Sequence, residues 1–132
     1  WYVGAPTSGL AMHSSVVPVN SGDRLQGIMT LTGQSGNAFN YLSSFHGLNT
    51  DLPVTDVGEL IWASETLECY GLKQFTDYPN SISTGMTGIE IRLGPNEAHI
   101  VWDPVNAVTD NGQHCVPVSN NSPNGEVDLF YK

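Results

Sequence analysis

Glu65 lies in the run Glu59-Leu60-Ile61-Trp62-Ala63-Ser64-Glu65-Thr66-Leu67-Glu68-Cys69-Tyr70, whose alternation predicts the longest strand of the chain. On such a strand Ile61, Ala63, Leu67 and Cys69 share its face. Pleating then sets a carboxylate among apolar groups, where burial raises its proton affinity as a general acid requires. The alternative reading is a carboxylate on an open polar face, accepting hydrogen bonds from Tyr or Ser neighbours. A glycosidase pair about 5–9 Å apart would need a second carboxylate from a neighbouring strand, such as Glu90, Asp103 or Asp128.

The run also carries Trp62 and Tyr70, and the chain offers Trp102, His46 and Asn49 besides. An aromatic ring beside carboxylate, imidazole and amide groups suits a sugar, because a pyranose has an apolar face and a polar rim. Trp62 with Glu65 resembles the Trp-x-x-Glu of galectins, although their Asn-Pro-Arg is absent. Taken singly, Trp62 or Trp102 reads first as a core residue. The expected ligand set is Trp62, Glu65, Tyr70, Trp102, His46 and Asn49, with Glu65 the catalytic candidate.

Other chemistries find no pattern. His13, His46, His99 and His114 have no ligand spacing for zinc, and the acidic loops at Asp51/Asp56 and Asp103/Asp110 lack the compact alternation of a calcium loop. No nucleophile elbow is present. Neither a metal nor any other cofactor is expected. Cys69 and Cys115 are the only cysteines, so an oxidising compartment would join them and a reducing one would leave two buried thiols. The bridge is the expectation adopted. One glycosylation sequon, Asn120-Asn121-Ser122, is followed by Pro123.

These residues sit in a chain of 132 with 39% apolar and 13% charged residues, enough for a single domain over 1–132. Thirteen acidic residues against four basic ones give a net charge of −9, which repels nucleic acid and anionic membrane surfaces. The start at Trp1 without Met is read as processing or truncation. Acidity, low Lys and abundant Ser, Thr, Asn and Gly point to an extracellular, secreted protein.

The elements that must position the site are strands. Alternation predicts them near 15–19, at 24–33 and 38–46 as a hairpin about the turn 34–37, at 59–70, and at 86–93, 99–103, 114–119 and 127–131. Residues 49–58 are read as a loop because of Pro53 and the acidic and hydroxyl residues around it. In the hairpin, Leu25, Gly27, Met29 and Leu31 share one face, as do Phe39, Tyr41, Ser43 and Phe45. With no sustained helical period, the expected fold is all-β, two antiparallel sheets packed as a jelly-roll sandwich.

The ordered motifs Trp1-Tyr2, then residues 16–23 ending in Ser21-Gly22-Asp23, then the strand from Arg24, resemble the fungal glutamic peptidases, the eqolisins. Leu60-Ile61-Trp62-Ala63-Ser64-Glu65-Thr66-Leu67-Glu68 resembles their AEWIVEDFE segment, and residues 126–132 resemble their final strand. The resemblance covers about two-thirds of the chain as short ordered matches. It implies a concanavalin-like sandwich, a secreted fungal origin and a catalytic Gln–Glu pair acting on water. Aligned through Glu65 and Glu68, the catalytic Glu falls on Ile61, and the Gln segment would lie upstream of Trp1, on a second N-terminal chain if one exists.

Two functional expectations follow. The first is a non-catalytic, lectin-like module binding a glycan or small polar ligand. The second is an acid-acting hydrolase, glutamic-peptidase-like or glycan-cleaving, using Glu65.

Overall fold

The computed structural model describes residues 2–4, 11–20, 22–66, 69, 71–106 and 112–131. Among them the regular structure is strand, with one short 3₁₀ turn, Phe75–Asp77, and no α-helix. The strands are β1 (Tyr2–Gly4), β2 (Ala11–His13), β3 (Gly27–Ser35), β4 (Ala38–Phe45), β5 (Leu52–Val57), β6 (Ser83–Ile89), β7 (Arg92–Leu93), β8 (Asn96–Glu97), β9 (His114–Ser119) and β10 (Gly125–Phe130). All their pairings are antiparallel. The chain divides into two compact units, Trp1–Trp62 and Ala63–Lys132.

The first unit is built on the sheet β3-β4-β5. Ser35 pairs with Ala38 across the two-residue turn Gly36-Asn37, and Gly36 takes φ 60°, a conformation that favours glycine at the first turn position. Register sets Met29 and Leu31 beside Ser43 and Tyr41, and these beside Leu52 and Val54. Side chains alternate across a pleated sheet, so these residues, with Phe39, Phe45 and Val57, make one apolar face. Ile28, Thr30, Asn40 and Ser44 fall on the other.

The hairpin expected over 24–46 is therefore present with its faces as read, except that Thr32 is an extra residue where the register shifts between Leu31 and Gly33. Burial concentrates at the β5 side, where Leu52 and Val54 are buried, a contribution of about 1.5–3 kcal/mol per side chain. Thr50 is buried beside them and its Oγ1 accepts the Phe45 N–H at 2.9 Å. Ser43 is buried too, with no partner for its hydroxyl among the described residues.

The second unit is built on the sheet β6-β10-β9. Val127 and Leu129 face Met86 and Thr84 on one side and Pro117 and Cys115 on the other. Val127 is buried, as are Ile100 and Tyr131. The Tyr131 hydroxyl hydrogen-bonds Thr84 Oγ1, and its ring lies 5.4 Å from that of Tyr78, which in turn lies 5.9 Å from Phe75. The opposite face carries Asp128 and the stacked pair His114 and Phe130, centroids 4.8 Å apart.

Four expectations are corrected. Residues 15–19 form no strand: no backbone ladder runs along them, and without a sheet face to cover them Val16 and Val19 stand in water; β2 precedes them instead. Residues 59–66 and 69 form no strand either, and no backbone ladder forms along them; Leu60 N–H instead donates to Tyr41 Oη at 3.1 Å. At 99–103 the segment is fastened by a side chain rather than a ladder, Trp102 N–H donating to Asn120 Oδ1 at 3.1 Å. The loop expected at 49–58 holds β5, whose Pro53 is tolerated because β5 is an edge strand.

Candidate ligand-binding site

The residues singled out for chemistry fall in both units. His46 and Asn49 belong to the connection between β4 and β5 in the first unit, which is held by His46 N–H to Gln26 O at 2.9 Å and Leu48 N–H to Phe45 O at 3.0 Å. Both side chains are exposed. Trp62 ends the first unit and is 77% exposed, next to Ile61 at 82%. A stretch without a ladder has no sheet face to bury, which is why its large apolar side chains stand in water.

Glu65 and Trp102 belong to the second unit. Glu65 is half-buried while every other residue of 59–66 is exposed: the carboxylate is sheltered as expected, but its expected apolar companions Ile61, Ala63 and Cys69 are not. Burial pushes the Glu65 carboxyl above the usual carboxylate range. Trp102 is half-buried, and its indole Nε1 is buried without a hydrogen-bond partner among the described residues. Tyr70 lies outside the described residues, as does Glu68.

The bridge expected between Cys69 and Cys115 is not formed in this structure: both are free thiols, Cys69 exposed and Cys115 half-buried. Two cysteines in a sequence fix a count and not a separation, and Cys115 has another partner. Asn106 Oδ1 accepts its N–H at 2.8 Å and its Sγ at 3.3 Å. Among the described residues no three His, Cys, Asp or Glu side chains gather as a metal site. No helix among them is long and apolar enough to cross a membrane.

Sequence reasoning missed the asparagines that fasten the segments around Trp102 and Cys115 in the second unit. Asn120, noted only as a sequon, holds Trp102, and Ser122 of the same sequon accepts Ile91 N–H and donates to Ile91 O, both at 3.0 Å. No protein-family model matches the chain, and neither a curated protein nor a solved structure matches it.

The shelter around Glu65 has a measurable consequence. Since its folded-state pKa is raised, the folded protein keeps this proton to higher pH than the unfolded chain does. Stability therefore falls as pH rises from about 4.5 through the raised value, and the penalty is constant above it. Glu65→Gln removes that slope. The variant is expected to match the parent at low pH and to exceed it at neutral pH in urea denaturation. A difference that is the same at every pH would refute the linkage.

Proposed function

We propose that this chain is a non-catalytic carbohydrate-binding protein, secreted, with Trp62 as the ring on which a neutral sugar stacks. The observation that carries the reading is the exposure of Trp62 at 77%. A large aromatic held in water, on a segment not folded into a core, gains most from a ligand with one apolar face. The net charge of −9 disfavours acidic glycans. The proposed architecture is a concanavalin-like sandwich, supported by the antiparallel three-stranded sheets and by the apolar face that Leu31, Tyr41, Leu52 and Val54 make on the first of them. Ile61, at the position aligned with the eqolisin catalytic Glu, has no proton to give or take, which favours binding over hydrolysis.

The test is titration of intrinsic fluorescence and calorimetry with neutral oligosaccharides chosen from a glycan array. A dissociation constant in the millimolar to micromolar range is expected. Trp62→Ala should weaken it at least about tenfold without changing the thermal midpoint, because an exposed side chain contributes little to the core. A blank array with unchanged fluorescence would reject the proposal.

A second reading rests on Glu65, whose sheltered carboxyl has the raised proton affinity of a general acid. It is an acid-acting hydrolase, glutamic-peptidase-like or glycan-cleaving. Cleavage of a denatured protein or a glycan near pH 3, lost in Glu65→Gln, would establish it and displace the binding-only function.

A further inference from the structure

β3 is an outer strand of its sheet, and its far edge has no partner strand among the described residues. Its hydrogen-bonding sense follows from Gln26 O, which accepts His46 N–H from the β4 side. Backbone groups alternate in direction along an antiparallel strand. Ile28 and Thr30 therefore point to β4, and Gly27, Met29 and Leu31 turn their N–H and C=O groups outward. A row of unpaired backbone donors and acceptors recognises one kind of ligand, an extended polypeptide strand.

The other outer strands of the two three-stranded sheets are protected against such pairing. β5 carries Pro53 and Asp56, β9 carries Pro117, and β6 has Gly88 at φ 67° where its register against β10 shifts. From Ile28 to Leu31, β3 has no proline, glycine or charge, and its own register shift falls beyond Leu31. Indeed no Asp, Glu, Lys or Arg occurs from 25 to 50, in a chain of net charge −9. Two copies of this acidic protein repel one another over most of their surface, and this neutral hairpin is where that repulsion is least.

The side chains supply the register. Met29 and Leu31 lie on the apolar face of the sheet yet remain 48% and 51% exposed. In an antiparallel pairing of β3 with β3 about a two-fold axis at Thr30, Met29 of each copy lies opposite Leu31 of the other. Those are residues whose backbone groups point outward, so the hydrogen bonds and the apolar contacts form together. We infer that β3 is a self-association edge, through which two copies join into one continuous six-stranded sheet. This rests on the β3 edge alone and not on any sugar site.

Sedimentation equilibrium of the whole chain from about 1 to about 300 μM tests it, with a monomer–dimer constant on the order of tens of micromolar expected for so small an interface. Met29→Lys and Leu31→Glu should each weaken dimerisation at least about tenfold. An equimolar mixture of the two should restore it, because the ammonium introduced in one copy then lies opposite the carboxylate introduced in the other. A parent that stays monomeric throughout, a dimer indifferent to both changes, or a mixture no more associated than its components would each overturn the inference. Hydrogen exchange on the parent provides a reading free of variants. Concentration should protect the amides of Met29 and Leu31 and leave those of Ile28 and Thr30 as they were; an unchanged pattern contradicts the edge.

Discussion

Gly125→Ala is expected to lower the unfolding free energy by about 1–3 kcal/mol, the ordinary cost of forcing a methyl group into packed surroundings. Gly125 opens β10, the central strand of its sheet, and is buried. A Cβ there would stand 2.8 Å from the carbonyl oxygen of Asn121 and 3.1 Å from Ile89 Cβ. The first of these is backbone and cannot swing aside, and the second belongs to the residue paired with Gly125. Gly85 is the control. Its added Cβ would come within 2.9 Å of Asp128 Oδ1, but that atom is the end of a side chain that can rotate away. Gly85→Ala should then fall within about 1 kcal/mol of the parent, since the alanine also restricts the unfolded chain. Urea denaturation followed by tryptophan fluorescence separates the two. Equal losses at both positions would show that the backbone contact at Gly125 is not what matters.

The pairing around Gly125 also shows what could be read without coordinates. Strands 114–119 and 127–131 were legible because apolar residues alternate there between Pro, Asn and Gly, and β9 and β10 lie where that pattern puts them. The 24–46 hairpin was legible for the same reason, with a glycine in the turn. Alternation reports which way side chains point, however, and not whether a neighbouring backbone is at hand. Residues 59–66 alternate well and still have no ladder, whereas β5, marked as a loop by Pro53 and its acidic neighbours, has one. Proline excludes a strand from the middle of a sheet and leaves it free to occupy the edge.

The candidate site was legible to a smaller degree. Residue type alone singled out Trp62, Trp102 and Glu65, and their exposures, open for Trp62 and partial for the other two, required the structure. The expected burial of Ile61 and Ala63 around Glu65 failed with the strand that was to produce it. Cys115 turned out to be engaged by Asn106, a contact across a segment with no periodic signal. Asparagine contacts of this kind follow no spacing rule, because one side-chain carbonyl can reach whatever backbone N–H the chain brings past it.

Asn40 is the clearest instance, and Asn40→Ala should cost about 1–2 kcal/mol. It lies on β4 between two irregularities, the register shift at Thr32 on β3 and the one between Phe39 and Tyr41 toward β5. Its Oδ1 accepts the N–H of Asp56 at 3.0 Å, and its backbone carbonyl accepts Thr32 Oγ1 at 3.1 Å. Asp56 has φ 58°, a left-handed conformation that a non-glycine residue holds at a cost of about 1 kcal/mol or more. The Asn40 side chain thus offsets a strained backbone on the strand that buries Leu52 and Val54. Asp56→Gly removes the strain without touching the hydrogen bond, because the N–H remains. On the parent background it is expected to be nearly neutral, the gain in folded-state comfort opposing the added freedom of the unfolded chain. On the Asn40→Ala background it should recover part of the loss, because a relaxed backbone at position 56 no longer depends on the amide. A double-mutant cycle measured by thermal denaturation reads this coupling directly. Strict additivity would mean that Asn40 acts on Asp56 through nothing more than local packing, and that the φ of Asp56 is set elsewhere in the sheet.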